Sequence, residues 1–365
     1  VIVIRSLILG MLLVSNASHA WAIDGILPTI ASPADILTRR TILINQLWGT
    51  SILPTTSPTV TTGVSNPFPS YNVARVDQYV ASMSNGQSNT SNLYIASSPN
   101  NGRLVIINPG HQNTCDWTAF ASGYRIQPVL QALLGAGYSV FAMNMPGCGS
   151  VSAHLALFSS YGNTAMSYFL EPAVRAMNYW DANHMFSRYD MTGLSGGGWT
   201  TTILAGLDPR IKISIPVAGS WPGFNMGQTG VESEGGCLNC SEQSWFNFYM
   251  VAGYIDFYIM GSYGPNRRQF QILNYSDDCC FGNSEYISEN GPSFYDPNYL
   301  AFIRNYQAEV KRLEPKVMPA NYDGMIDFIA DQHQISTNAQ QVILSILASV
   351  GSGTAGGGRR LMHMW

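Results

Sequence analysis

The 365-residue chain is long enough to bury a large core within one α/β domain. Hydrophobic residues make up 46% of it, charged residues only 11%, and the net charge is −4 with no basic cluster. That balance excludes the electrostatic footprint of a nucleic-acid binder or of a protein held on an anionic membrane. It also leaves a surface built from Ser, Thr, Asn, Gln, Gly and Tyr, a composition that suits an exported protein.

Residues 1–22 read as a signal peptide. Arg5 supplies a positive start, 7–14 form an apolar core, and Ser18-His19-Ala20 and Ala20-Trp21-Ala22 each offer a small–x–small cleavage site. The apolar run falls short of the ~20 residues that span a bilayer. The expectation is a secreted or periplasmic protein with no stable membrane anchor after cleavage; the alternative is a buried N-terminal strand. Residues 23–70, rich in Pro, Thr and Ser, read as an extension that wraps the domain, with short strands at best.

Strand-like runs follow at 91–96 and 102–108, the second continuous and apolar as in a strand covered on both faces. A helix is predicted at 128–134, a buried strand at 138–144 and a helix at 170–180. Strands at 189–193 and 212–217 flank a helix at 199–207. A strand at 268–275 and an amphipathic helix at 338–348 complete the series. This alternation predicts an α/β fold with a mostly parallel central sheet and helices on both faces. Residues 219–267 interrupt the rhythm with Cys237-x-x-Cys240 and many aromatics. They read as a small cap insertion over the site, or else as a crossover helix with a long loop. The domain is taken as 23–350, and the Gly-rich 351–365 as a disordered tail.

The strongest chemical signal is Gly193-Leu194-Ser195-Gly196-Gly197, between a predicted strand and a predicted helix. A Ser on such a turn stands clear of the backbone at a helix N-terminus, and the flanking glycines let strand and helix approach closely. A hydroxyl needs a base to become a nucleophile. Of the two histidines after Ser195, His363 lies in the tail and His333 just before the last helix, so His333 is the expected base. The acid belongs at the end of the preceding strand, where Asp277 and Asp278 stand; the sequence does not separate them. The oxyanion donors expected are the N–H of Gly196 and an N–H of His111 or Gln112, in the loop after 106–108.

These pieces resemble the α/β-hydrolase superfamily, in the manner of secreted bacterial serine esterases of the acetyl xylan esterase and dienelactone hydrolase kind. The resemblance rests on Asn108-Pro109-Gly110-His111, on Gly137-Tyr138 through Met145-Pro146-Gly147-Cys148-Gly149, and on the Ser195 segment, with Asp277 or Asp278 and His333 completing it over roughly 90–350. Two departures stand out: Asn144 replaces an Asp often found there, and Cys279-Cys280 end the acid loop. The resemblance implies an α/β-hydrolase fold and hydrolysis of a small-molecule or carbohydrate ester, with no cofactor and no metal. A serine peptidase or amidase on the same triad, and a non-catalytic binding protein of the same fold, are the alternatives. In this fold the loops carrying Cys115 and Cys148 are neighbours, so these two cysteines are expected to pair. Cys237 and Cys240 would then pair with Cys279 and Cys280, or the four would bind zinc.

Overall fold

Val105 and Ile107 point to one side of a strand, and Leu104 and Ile106 to the other. All four are fully buried, in two different apolar clusters. A strand buried on both faces has to be interior to a sheet covered by helices on both sides. The computed structural model of the chain, which describes residues 30–83, 86–119, 125–220, 241–244, 246–274, 325–329 and 333–349, has that arrangement. Among the described residues nine strands form one sheet: β1 (Thr59–Val64), β2 (Val73–Ser82), β3 (Ser88–Ala96), β4 (Arg103–Asn108), β5 (Ser139–Ala142), β6 (Arg188–Leu194), β7 (Ile211–Val217), β8 (Arg268–Asn274) and β9 (Met325–Ile329). Their order is β1-β2-β3-β5-β4-β6-β7-β8-β9. The β1–β2, β2–β3 and β3–β5 pairs are antiparallel, and every pair from β5 to β9 is parallel.

Helices α1 (Pro33–Trp48), α4 (Ser167–Ala182), α5 (Gly196–Leu207) and α6 (Tyr254–Ser262) supply apolar side chains to one cluster. α2 (Ile126–Gly135) and α7 (Thr337–Ser349) supply the other. α3 (Val151–Tyr161) lies beyond β5, at the C-terminal edge of the sheet. Each buried Leu, Ile or Val in these clusters contributes roughly 1.5–3 kcal/mol relative to exposure. No helix among the described residues is long and apolar enough to cross a membrane.

The expectation of short strands at best in 23–70 fits β1 but is overturned over 33–48, where the chain forms α1; 23–29 lie outside the described residues. Ser32 caps this helix: its hydroxyl oxygen accepts the Asp35 N–H at 3.3 Å, with Pro33 in the first turn. Gly49 closes it at φ 67°, donating its N–H to Asn45 O at 2.8 Å. Ile36, Leu43, Ile44 and Leu47 face the core, and Arg40 Nε donates to Gly206 O, 2.9 Å away.

In the stretch 219–267, α6 is the crossover between the parallel strands β7 and β8. All its residues are buried, and it packs so closely on α5 that a methyl on Gly206 would stand 2.8 Å from Phe257 Cδ1. Residues 254–262 are therefore core rather than cap. Residues 221–240 lie outside the described residues, as do the segments read as signal peptide and tail.

Candidate active site

Parallel strands bring their following loops to one edge, where open α/β sheets place their sites. β6 ends at Leu194, and Ser195 follows with φ 57° and ψ −127°. A non-glycine residue held there is strained, and the surroundings enforce it. The Ser195 N–H donates to Val217 O at 3.0 Å, while its C=O accepts the Trp199 N–H at 2.8 Å as α5 begins. Glycine is required on both sides. A Cβ on Gly193 would lie 2.5 Å from Gly197 O, and one on Gly197 only 2.0 Å from Asn108 O. Ser195 is 6% exposed and stands at the N-terminus of α5, whose first N–H groups have no intrahelical partner.

The loop after β4 lies directly against this turn. A Cβ on Gly110 (φ 80°) would meet Leu194 O at 2.4 Å and the backbone nitrogens of Gly196 and Gly197 at 3.1 Å. Buried Asn108 shapes the loop, its Oδ1 accepting the Gly110 N–H at 2.9 Å. Gln112 Nε2 donates to Pro109 O at 3.0 Å. The His111 ring packs on Gly196, so that a methyl there would come within 2.7 Å of His111 Cε1 and Nδ1. His111 and Gly196 are thus in contact directly after Ser195, with Gln112 the next residue of the loop.

The loop after β5 braces this arrangement. Gly149 (φ 74°) is so close that a Cβ would stand 2.8 Å from Gln112 N. Cys115 and Cys148 are joined by a disulfide with a Cα–Cα distance of 4.9 Å, as expected. Asn144, where the resemblance leads one to look for Asp, is part of the same brace. Its Oδ1 accepts Trp117 Nε1–H and its C=O accepts Asn89 Nδ2–H, both at 3.0 Å.

His333 follows β9 on the same edge and is buried. Asn274, the last residue of β8, donates from Nδ2 to Gln334 O at 2.9 Å, fixing the segment next to His333. Ser336 Oγ accepts the Ala339 N–H at 3.0 Å where α7 begins. β8 is two strands from β6, about 10 Å at normal strand spacing. Asp277 and Asp278, and with them Cys237, Cys240, Cys279 and Cys280, lie outside the described residues.

Two side chains that the sequence reading passed over lie at the back of the site. His154 on α3 and Glu242 on the helical turn Ser241–Ser244 are fully buried. Glu242 Oε1 is 2.9 Å from His111 Nε2, and Oε2 is 3.3 Å from His154 Nδ1. Burial pushes the Glu242 carboxyl up, but the two imidazoles outweigh it and hold the group at about 2. Tyr249 ties the turn to α5: its hydroxyl donates to Glu242 O at 3.0 Å and accepts Trp199 Nε1–H at 2.6 Å. No local sequence pattern joins these residues, because each stands on a different, distant segment of the chain.

No protein-family model matches the chain, and no curated protein sequence matches it. Several solved structures do resemble it. A methylesterase superposes with a TM-score of 0.53 at 14% identity, over 91% of this chain and 64% of its own, so the chain spans under two thirds of that protein. A glucuronoyl esterase from Solibacter usitatus gives 0.53 at 12% identity over 88% and 92%. An acetyl xylan esterase from Paenibacillus sp. R4 gives 0.51 at 14% over 90% and 98%. At these identities the likeness is one of fold: the chain has the α/β-hydrolase fold. All three of these similar structures are esterases.

Proposed function

We propose that the protein is a serine hydrolase that cleaves a carboxylic ester, such as a small-molecule or carbohydrate ester, through an acyl-enzyme. The observation that supports this most is the strained Ser195 at the head of α5, with the His111–Gln112 loop pressed against Gly196. In this reading Ser195 Oγ attacks the ester carbonyl and its proton passes to His333. The tetrahedral oxyanion accepts hydrogen bonds from the N–H of Gly196 and from one of the 111–112 segment. His333 returns the proton to the leaving alcohol, and a water activated by the same imidazole releases the acid. Asp277 or Asp278 would orient His333. The names of the similar structures favour esters over amides. A signal peptide at 1–22 would place the enzyme outside the cytoplasm.

The test is hydrolysis of p-nitrophenyl acetate through octanoate by wild type, Ser195→Ala and His333→Ala. Each variant is expected to lose about 10⁴-fold or more in kcat, since triad members act as a unit. The chain-length profile then sizes the acyl pocket. Undiminished activity in Ser195→Ala would refute the assignment. A folded wild type active only on peptide p-nitroanilides would make the enzyme an amidase.

A further inference from the structure

The ester-cleaving reading uses the loop that carries His111 but leaves the buried chemistry behind that loop without a role. His111 comes from the loop after β4, His154 from α3 and Glu242 from the turn after β7. Their donor atoms all lie within 4.8 Å of one another. The far nitrogen of His154, Nε2, is 2.9 Å from Pro146 O. A carbonyl only accepts, so Nε2 carries a proton and donates it. In the neutral ring Nδ1 then presents a lone pair, and it faces a carboxylate oxygen 3.3 Å away. Two acceptors facing each other in a site without solvent repel. Both side chains are completely buried, and among the described residues His154 Nδ1 and the Glu242 oxygens meet no polar group other than each other and His111. A single cation among the three groups satisfies the lone pairs and the carboxylate at once.

We propose that His111 Nε2, His154 Nδ1 and the Glu242 carboxylate form a binding site for a divalent cation of the zinc class. Two imidazoles and a carboxylate are a donor set that zinc takes, and they disfavour magnesium and calcium, which require oxygen. With one donor atom from each residue the three lie within 4.8 Å of one another, against an edge of about 3.3 Å in a tetrahedron with bonds of about 2.0–2.1 Å, so the side chains draw together slightly on an ion. The Nε2–H bond to Pro146 O is the outer contact that fixes the tautomer and direction of a ligating imidazole. The ion joins a loop, α3 and a helical turn and holds the His111 ring against Gly196, so His111, His154 and Glu242 are positioning residues for the oxyanion loop. Binding is read without activity, so the inference stands or falls separately from the hydrolase reading.

The experiment uses the whole protein, stripped with a chelator and checked for native circular dichroism. Zn²⁺ is titrated calorimetrically and Co²⁺ by its visible d–d absorption, in wild type, Glu242→Gln and His154→Ala. One equivalent is expected to bind wild type, with a Co²⁺ spectrum free of thiolate charge transfer, and affinity should fall at least tenfold in each variant. The wild-type spectrum decides the matter even where a variant misfolds. Folded wild type that binds neither ion would overturn the proposal. So would a thiolate band, or binding undiminished in both variants, either of which would place the ion elsewhere.

Discussion

Replacing Cys115 and Cys148 together by Ser removes a cross-link whose ends are 33 residues apart. In chain-entropy terms, closing a loop of that length takes about 12.5 cal/mol/K from the unfolded ensemble, or about 3.7 kcal/mol at 25 °C. The native side of the balance changes little. Cys115 is exposed and Cys148 only half-buried, so two hydroxyls in place of the bridge leave no buried void. The double variant should therefore be less stable by about 3–4 kcal/mol in urea unfolding without reductant, with an m-value that rises as the unfolded chain expands. A loss under about 1 kcal/mol would refute the reasoning. It would mean that the Asn144–Trp117 bond and the contacts of Gly149 already confine these loops in the unfolded ensemble.

Two further outcomes follow from geometry. Gly197→Ala puts a methyl 2.0 Å from Asn108 O, a backbone atom that cannot swing away, and should destabilise by at least about 3 kcal/mol. Gly135→Ala, at the open C-terminal end of α2, meets nothing within 4 Å and should be neutral or slightly stabilising; equal melting temperatures for the two variants would contradict this. Burial also pushes the phenols of Tyr79, Tyr189, Tyr249, Tyr254 and Tyr258 above the ordinary 10.0, and that of Tyr94 to about 12. A folded-state value raised in this way contributes stability that is complete below pH 10 and is lost as pH rises through the shifted value. Titration followed by tyrosinate absorbance should show these phenols ionising together with loss of circular dichroism. Reversible ionisation of every tyrosine near pH 10 in a native protein would count against it.

The interior of the sheet was legible for a physical reason. Parallel strands buried on both faces are short unbroken apolar runs, and those read at 102–108, 189–193, 212–217 and 268–275 lie at β4, β6, β7 and β8. The helices at 128–134, 170–180, 199–207 and 338–348 likewise fall within α2, α4, α5 and α7. What escaped was whatever lacked that signal. β1 and β2 are half-exposed antiparallel strands that carry polar residues on their outer face. α1 sits among Pro, Thr and Ser, and only the Ser32-Pro33-Ala34-Asp35 start marks it as a helix. α3 has little apolar contrast between its faces, with only His154 and Phe158 buried. In the site, Ser195 and the 109–112 loop announce themselves because backbone geometry demands glycine at fixed offsets. The meeting of His111, His154 and Glu242 has no such signature, since only the folded topology brings these three distant segments together.

The docking of α1 bears on the order in which the chain can acquire its structure. Arg40 reaches Gly206 and Met260, and the Ile30 N–H donates to Asp256 Oδ1 at 3.0 Å, 226 residues further along. A helix that precedes α5 and α6 by well over a hundred residues thus has its resting place assembled only after they exist. Until then Ile36, Leu43, Ile44 and Leu47 have no surface to cover them. Vectorial synthesis, N-terminus first, leaves this apolar stripe waiting for most of the chain to emerge. This helix is a late closure, and until it closes its apolar stripe is open to association with other chains.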